Sequence, residues 1–92
     1  MRKKVLAANW KMNLLRNEAL DLYSNLDLAL LNFQEIETVL FPPSIYISEL
    51  QTKGNISLGI QNIYFQNSGA FTGEISAVQA KNIGCSYVLI GH

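Results

Sequence analysis

Four short apolar runs punctuate the chain, and their spacing most restricts the folds open to it. They are "KVLAAN" (Lys4 to Asn9), "ETVLF" (Glu37 to Phe41), "ISLGIQ" (Ile56 to Gln61) and "SYVLI" (Ser86 to Ile90). All four are rich in Val, Ile, Leu or Ala and lack strict alternation with polar residues. That pattern suits strands covered on both faces, as in a parallel sheet. Helical patterns separate them. Between the first two, Ala19, Leu22, Tyr23, Leu26, Ala29, Leu30 and Phe33 fall on one stripe. Glu18, Asp21, Ser24 and Asn25 take the other side, with Asn17 as the expected N-cap. Between the second and third runs, Pro42-Pro43-Ser44 stops the strand and starts a short helix that should end at Lys53-Gly54. A third helix is expected after Thr72-Gly73-Glu74, ending at Asn82-Ile83-Gly84. The order βαβαβαβ predicts an α/β fold built on four parallel strands and three intervening helices.

Length narrows the choice without closing it. The chain has 92 residues, with no linker and no low-complexity segment, so it reads as one unit. A complete barrel of eight such strand–helix units needs about 250 residues. The chain therefore holds either about half a barrel or a complete small open α/β sheet, and periodicity does not separate the two. Either way little apolar area is to spare, because a domain this small buries only about 60–65% of its unfolded surface.

Composition excludes several classes of function. Apolar residues make up 49% of the chain and charged ones 15%, which favours a packed core over disorder. Lys plus Arg and Asp plus Glu balance at seven each, and the only basic cluster is Arg2-Lys3-Lys4, so a nucleic-acid surface is not expected. The apolar run after that cluster is too short for a signal-peptide core, and no stretch reaches membrane-spanning length. Cys85, the single cysteine, has no internal disulfide partner and is expected to act as a small core residue. The sequon "NIS" at Asn55 to Ser57 reads as a chance match without a secretion signal. A soluble cytoplasmic protein is the expectation.

In parallel α/β folds ligands gather at the carboxyl ends of strands. Four places qualify here: Asn9 to Asn13, Pro42 to Ser44, the long loop Asn62 to Gly73, and Gly91-His92. Lys11, just past the first strand, is either a solvated loop lysine or an ammonium that holds a phosphate or a developing oxyanion. His92, the only histidine, is either incidental or a hydrogen-bond donor and acid–base group, its reference pKa lying near ~6.5. "GAFTGE" (Gly69 to Glu74) reads as a turn leading into a helix N-cap, with Glu74 at the positive helix end. There is no metal-ligand spacing, no G-x-G-x-x-G and no Walker A motif.

Taken in order, "NWKMN" (Asn9 to Asn13), "LFPPSIYI" (Leu40 to Ile47), "GIQN" (Gly59 to Asn62), "GAFTGEIS" (Gly69 to Ser76) and "YVLIGH" (Tyr87 to His92) resemble triosephosphate isomerase. The resemblance covers essentially the whole chain and fits the amino-terminal part of that family. It implies a partial (β/α)8 TIM barrel, with residues 1–92 as the amino-terminal portion of a single barrel domain. The implied activity interconverts dihydroxyacetone phosphate and D-glyceraldehyde 3-phosphate through an enediolate. That reaction serves glycolysis, gluconeogenesis and the pentose shunt, and uses no metal and no organic cofactor.

By match to the family, Asn9 and Lys11 correspond to its substrate-contacting pair. Lys11 carries positive charge toward the phosphate and the enediolate. His92 corresponds to the neutral imidazole that donates to the substrate oxygens, and the family is itself the standard worked case of a glutamate base paired with such a histidine. Thr72, Gly73 and Glu74 correspond to a loop that reaches the partner subunit of a homodimer. The family continues after this histidine with a Ser-Glu-Arg stretch, and its later strands carry the glutamate base and most phosphate-binding amides. An inactive amino-terminal fragment of the isomerase is therefore the expectation. The alternative from a different class is a free-standing α/β module that binds a phosphorylated ligand or a protein partner without catalysis.

Overall fold

The computed structural model of the chain describes residues 4–33, 35–50 and 56–90. Strand β1 spans Lys4–Asn9, helix α1 Arg16–Ala29, strand β2 Ile36–Phe41, a 3₁₀ helix Ser44–Glu49, strand β3 Ile56–Ile60, helix α2 Ala77–Asn82 and strand β4 Cys85–Val88. The four strands form one sheet in the order β1-β2-β3-β4, every pair parallel. Each strand thus lies beside its predecessor, with a helical segment making each crossover. This is the predicted α/β arrangement, and it is consistent with part of a (β/α)8 barrel. The middle crossover is a 3₁₀ helix, not an α-helix.

Strand placement follows the apolar runs closely. β1 has the expected bounds, while β2 and β4 each begin one residue earlier than the pattern indicates and β3 stops before Gln61. Two-sided coverage, expected of all four, holds for the inner pair alone. Val39, Leu40 and Phe41 of β2 and Ile56, Leu58 and Ile60 of β3 are buried. In β1, Val5 and Leu6 are 58% and 57% exposed. β1 and β4 are the sheet's edges among the described residues, and an edge strand's exposure depends on neighbours that no local pattern encodes.

The core lies between the inner strands and the helical segments. Leu40, Ile47, Ile56, Leu58 and Ile60 are essentially inaccessible, and Trp10, Ala19, Tyr23, Leu50, Ala80 and Cys85 join them. Each fully buried Leu or Ile contributes about 1.5–3 kcal/mol relative to an exposed one. Burial also pushes the Cys85 thiol above its ordinary pKa, as a small core residue requires. Between Leu58 and Gly59 the β3–β4 register shifts, and a β-carbon at Gly59 would clash with the edge of the Phe41 ring at Cε2 and Cδ2. Glycine at this position leaves room for the Phe41 ring across the inner strand pair.

Helix ends depart from expectation in instructive ways. α1 starts one residue before Asn17, and Leu15 occupies the cap position. The Leu15 N–H donates to Glu18 Oε1 at 2.9 Å, so the glutamate of the first turn satisfies the cap backbone without a polar cap side chain. On the helix stripe Ala19 and Tyr23 are buried and Leu26 and Leu30 half-buried, whereas Leu22 and Phe33 are exposed. The 3₁₀ helix closes at Leu50, whose N–H donates to Ile47 O at 3.1 Å; Lys53 and Gly54 lie outside the described residues. α2 is capped by Ser76 and not by the Thr72-Gly73-Glu74 turn. Ser76 Oγ accepts from the Gln79 N–H at 3.1 Å, and the Ser76 N–H donates to Gln79 Oε1 at 3.0 Å. That reciprocal pair out-competes a cap two residues earlier.

Candidate functional site

The carboxyl end of β1 is held by its neighbours through a set of backbone carbonyls. Trp10 is buried, and its N–H donates to Phe41 O at 3.1 Å, which extends the β1–β2 ladder by one residue. From that anchor the chain turns sharply. Lys11 has φ 56°, a left-handed conformation that costs a non-glycine residue about 1–2 kcal/mol. Three side-chain contacts offset that cost. The Lys11 N–H donates to Asn9 Oδ1 at 2.9 Å, and Asn13 Nδ2 donates to Trp10 O at 2.8 Å. Gln61 Nε2, immediately after β3, donates to Lys11 O at 2.9 Å and to Phe41 O at 2.8 Å.

One amide group therefore ties the strand ends of β1, β2 and β3 together. The backbone of Lys11 is fixed at both its N–H and its C=O, while its side chain is exposed. An ammonium at the carboxyl end of a parallel sheet is suited to meet an anion, and with the Lys11 backbone already fixed only the side chain is left to order when the anion arrives. Asn9 and Lys11 are thus brought together by a direct hydrogen bond. Gln61 is the residue that sequence reasoning missed. A polar residue directly after an apolar strand was its only local sign.

The long loop after β3 is pinched at its base, where the Tyr64 N–H donates to Ile75 O at 2.7 Å. Inside it the rings of Tyr64 and Phe71 lie 4.6 Å apart, and Gly73 takes φ +79°, a conformation glycine adopts without strain. Thr72, Gly73 and Glu74 are exposed along its returning arm. A cleft of about 180 Å³ is lined by Gly73 and Glu74 of that arm together with Ser44 and Gln61. The expected interface residues and the Lys11 clamp therefore flank the same end of the sheet. His92 lies outside the described residues, which end at Ile90.

A second polar contact bridges strands within the sheet. Tyr87 Oη donates to Glu37 Oε2 at 2.6 Å, and Ser57 Oγ donates to the same oxygen at 3.4 Å. The hydrogen bond to Glu37, followed by partial desolvation and the carboxylate's charge, pushes the Tyr87 phenol above its ordinary pKa. Among the described residues no group of three or more His, Cys, Asp or Glu is placed to hold a metal ion. No helix among the described residues is long and apolar enough to cross a membrane.

Known proteins resemble the chain along its whole length. The family model described as triosephosphate isomerase matches residues 4–92. The chain is 42% identical over 95 residues to the triosephosphate isomerase of Alkaliphilus oremlandii. It is 41% identical over 99 residues to that of Marinobacter nauticus and 43% identical over 95 residues to that of Caldanaerobacter subterraneus. Each alignment takes in 100% of this chain but only 38% of the relative, so the chain spans well under half the length of the proteins it matches.

Proposed function

The chain belongs to the triosephosphate isomerase family, and from that premise we propose that its 92 residues form the amino-terminal portion of a single TIM-barrel domain whose whole interconverts dihydroxyacetone phosphate and D-glyceraldehyde 3-phosphate. In this reading a base removes the proton next to the substrate carbonyl, and the electron pair moves onto the carbonyl oxygen to give an enediolate. Lys11 and Asn9 bind the substrate, and the Lys11 ammonium offsets the phosphate charge and the growing negative charge on oxygen. His92 serves as the neutral donor to the two substrate oxygens. The base itself is the glutamate of a later stretch of the family's sequence, so these 92 residues alone should not turn over substrate. Thr72, Gly73 and Glu74 meet the partner subunit of a homodimer. The reaction is cytoplasmic, belongs to glycolysis and gluconeogenesis, and needs no cofactor.

The observation that carries this reading is the double fixation of Lys11, by Asn9 and by Gln61, at a strand end within a chain matched to this family along its length. Steady-state isomerase kinetics on the full-length barrel polypeptide that carries these residues test it. Lys11→Ala should lower kcat/KM by roughly 10²–10³-fold, the effect of losing one charged or oxyanion-directed contact. An alanine variant with unchanged kcat/KM would sink the assignment.

A further inference from the structure

We propose that Tyr46 is a positioning residue for Lys11, acting through the carbonyl of Leu14; the proposal rests on the isomerase reading above. The loop between β1 and α1 holds two left-handed non-glycine residues, Lys11 at φ 56° and Leu14 at φ 77°. The carbonyl of each accepts a hydrogen bond from a side chain of a different segment. Gln61 serves Lys11 from the end of β3, and the Tyr46 hydroxyl donates to Leu14 O at 3.1 Å from the 3₁₀ helix.

Tyr46 is well suited to hold that carbonyl. It is half-buried and packs against the core beside Leu14, so its hydroxyl is presented from a fixed ring. The same 3₁₀ helix grips the start of α1 a second time, through an ion pair of Arg16 Nε with Glu49 Oε2 at 2.6 Å. The loop is therefore fixed on both sides of Lys11: by the strand ladder through Trp10, and by Tyr46 at Leu14. Without the hydroxyl, Leu14 is free to return to negative φ. A change of backbone hand at one residue redirects the short segment that joins it to Lys11, and the point from which the lysine side chain departs moves with it.

The test uses the full-length barrel polypeptide that carries these residues and its variant Tyr46→Phe, which keeps the ring and removes only the oxygen. KM for the triose phosphate should rise about two- to tenfold, the effect of one lost neutral hydrogen bond, with kcat changing less. The Lys11 amide, bonded to Asn9 Oδ1, should exchange its hydrogen faster. Adding Leu14→Gly should restore both readouts, because glycine takes positive φ without strain. A packing role alone predicts no change in Tyr46→Phe and no rescue by glycine. The proposal stands only if exchange quickens in Tyr46→Phe and recovers in the double variant, with KM following. Unchanged exchange, an unchanged KM in an active enzyme, or failure of the glycine rescue overturns it. If the full-length barrel polypeptide that carries these residues shows no isomerase activity, the isomerase reading fails and the exchange measurement alone decides the role of Tyr46.

Discussion

Replacing Gln61 with glutamate keeps the side chain's shape and removes both hydrogen bonds it donates. The bond to Phe41 O is partly buried and is worth about 1 kcal/mol; the bond to Lys11 O is exposed and is worth about 0.5 kcal/mol. In their place a carboxylate oxygen faces two carbonyl oxygens, which adds about 1 kcal/mol of unmatched acceptors. Part of this total of about 2.5 kcal/mol returns when Lys11, no longer held at φ 56°, relaxes out of a conformation that costs about 1–2 kcal/mol. Phe41 O also keeps the Trp10 N–H. The two readouts should therefore separate. Unfolding in urea should show a loss of about 1 kcal/mol, while KM for the triose phosphate rises about tenfold because relaxation misplaces the ammonium. Gln61→Ala, which removes the donors without adding charge, should show about half of each effect. A glutamate variant that matches the parent in both assays refutes the clamp, and an alanine variant worse than glutamate shows that side-chain volume decides.

Two further outcomes follow from packing and electrostatics within the sheet. Gly59→Ala drives a β-carbon into the ring of Phe41 and should lower unfolding free energy by about 1–3 kcal/mol, read as a fall in the urea midpoint. Tyr87 should titrate above the ordinary phenol range, monitored by ultraviolet absorbance, and Glu37→Gln should bring it back toward 10.0. The sign follows from a raised folded-state pKa: the contribution of the Tyr87–Glu37 bond is complete below the unfolded phenol's pKa and is lost as pH rises through the folded value.

The strands were legible because their cause is local. A run such as Lys4–Asn9 declares a strand by its own apolar residues, and Pro42 ends β2 because proline cannot continue the ladder. Gly84 likewise follows α2 where expected. The caps were less legible, since Leu15 and Ser76 compete with Asn17 and the Thr72–Glu74 turn through hydrogen bonds made three residues on, by Glu18 and Gln79. The clamps were not legible at all. Gln61 acts on a carbonyl 50 positions away and Tyr46 on one 32 positions away, and both acceptors are backbone atoms with no side-chain signature. Family resemblance pointed to Asn9 and Lys11, but the reason Lys11 sits still is a tertiary fact.

The strand order has a consequence for how such a chain is made. Because β2, β3 and β4 each pair with the strand synthesised just before, each finds one partner already made when it emerges from the ribosome. Each closure spans a single helical crossover, so the entropy of loop closure is met in modest instalments instead of one long-range event. β3 can dock on β2 as soon as it is exposed to solvent, and the arrival of Gln61 at its end then locks the turn at Lys11. The geometry of the lysine is thus completed by a residue made well after it, and maturation of that corner keeps pace with elongation of the chain.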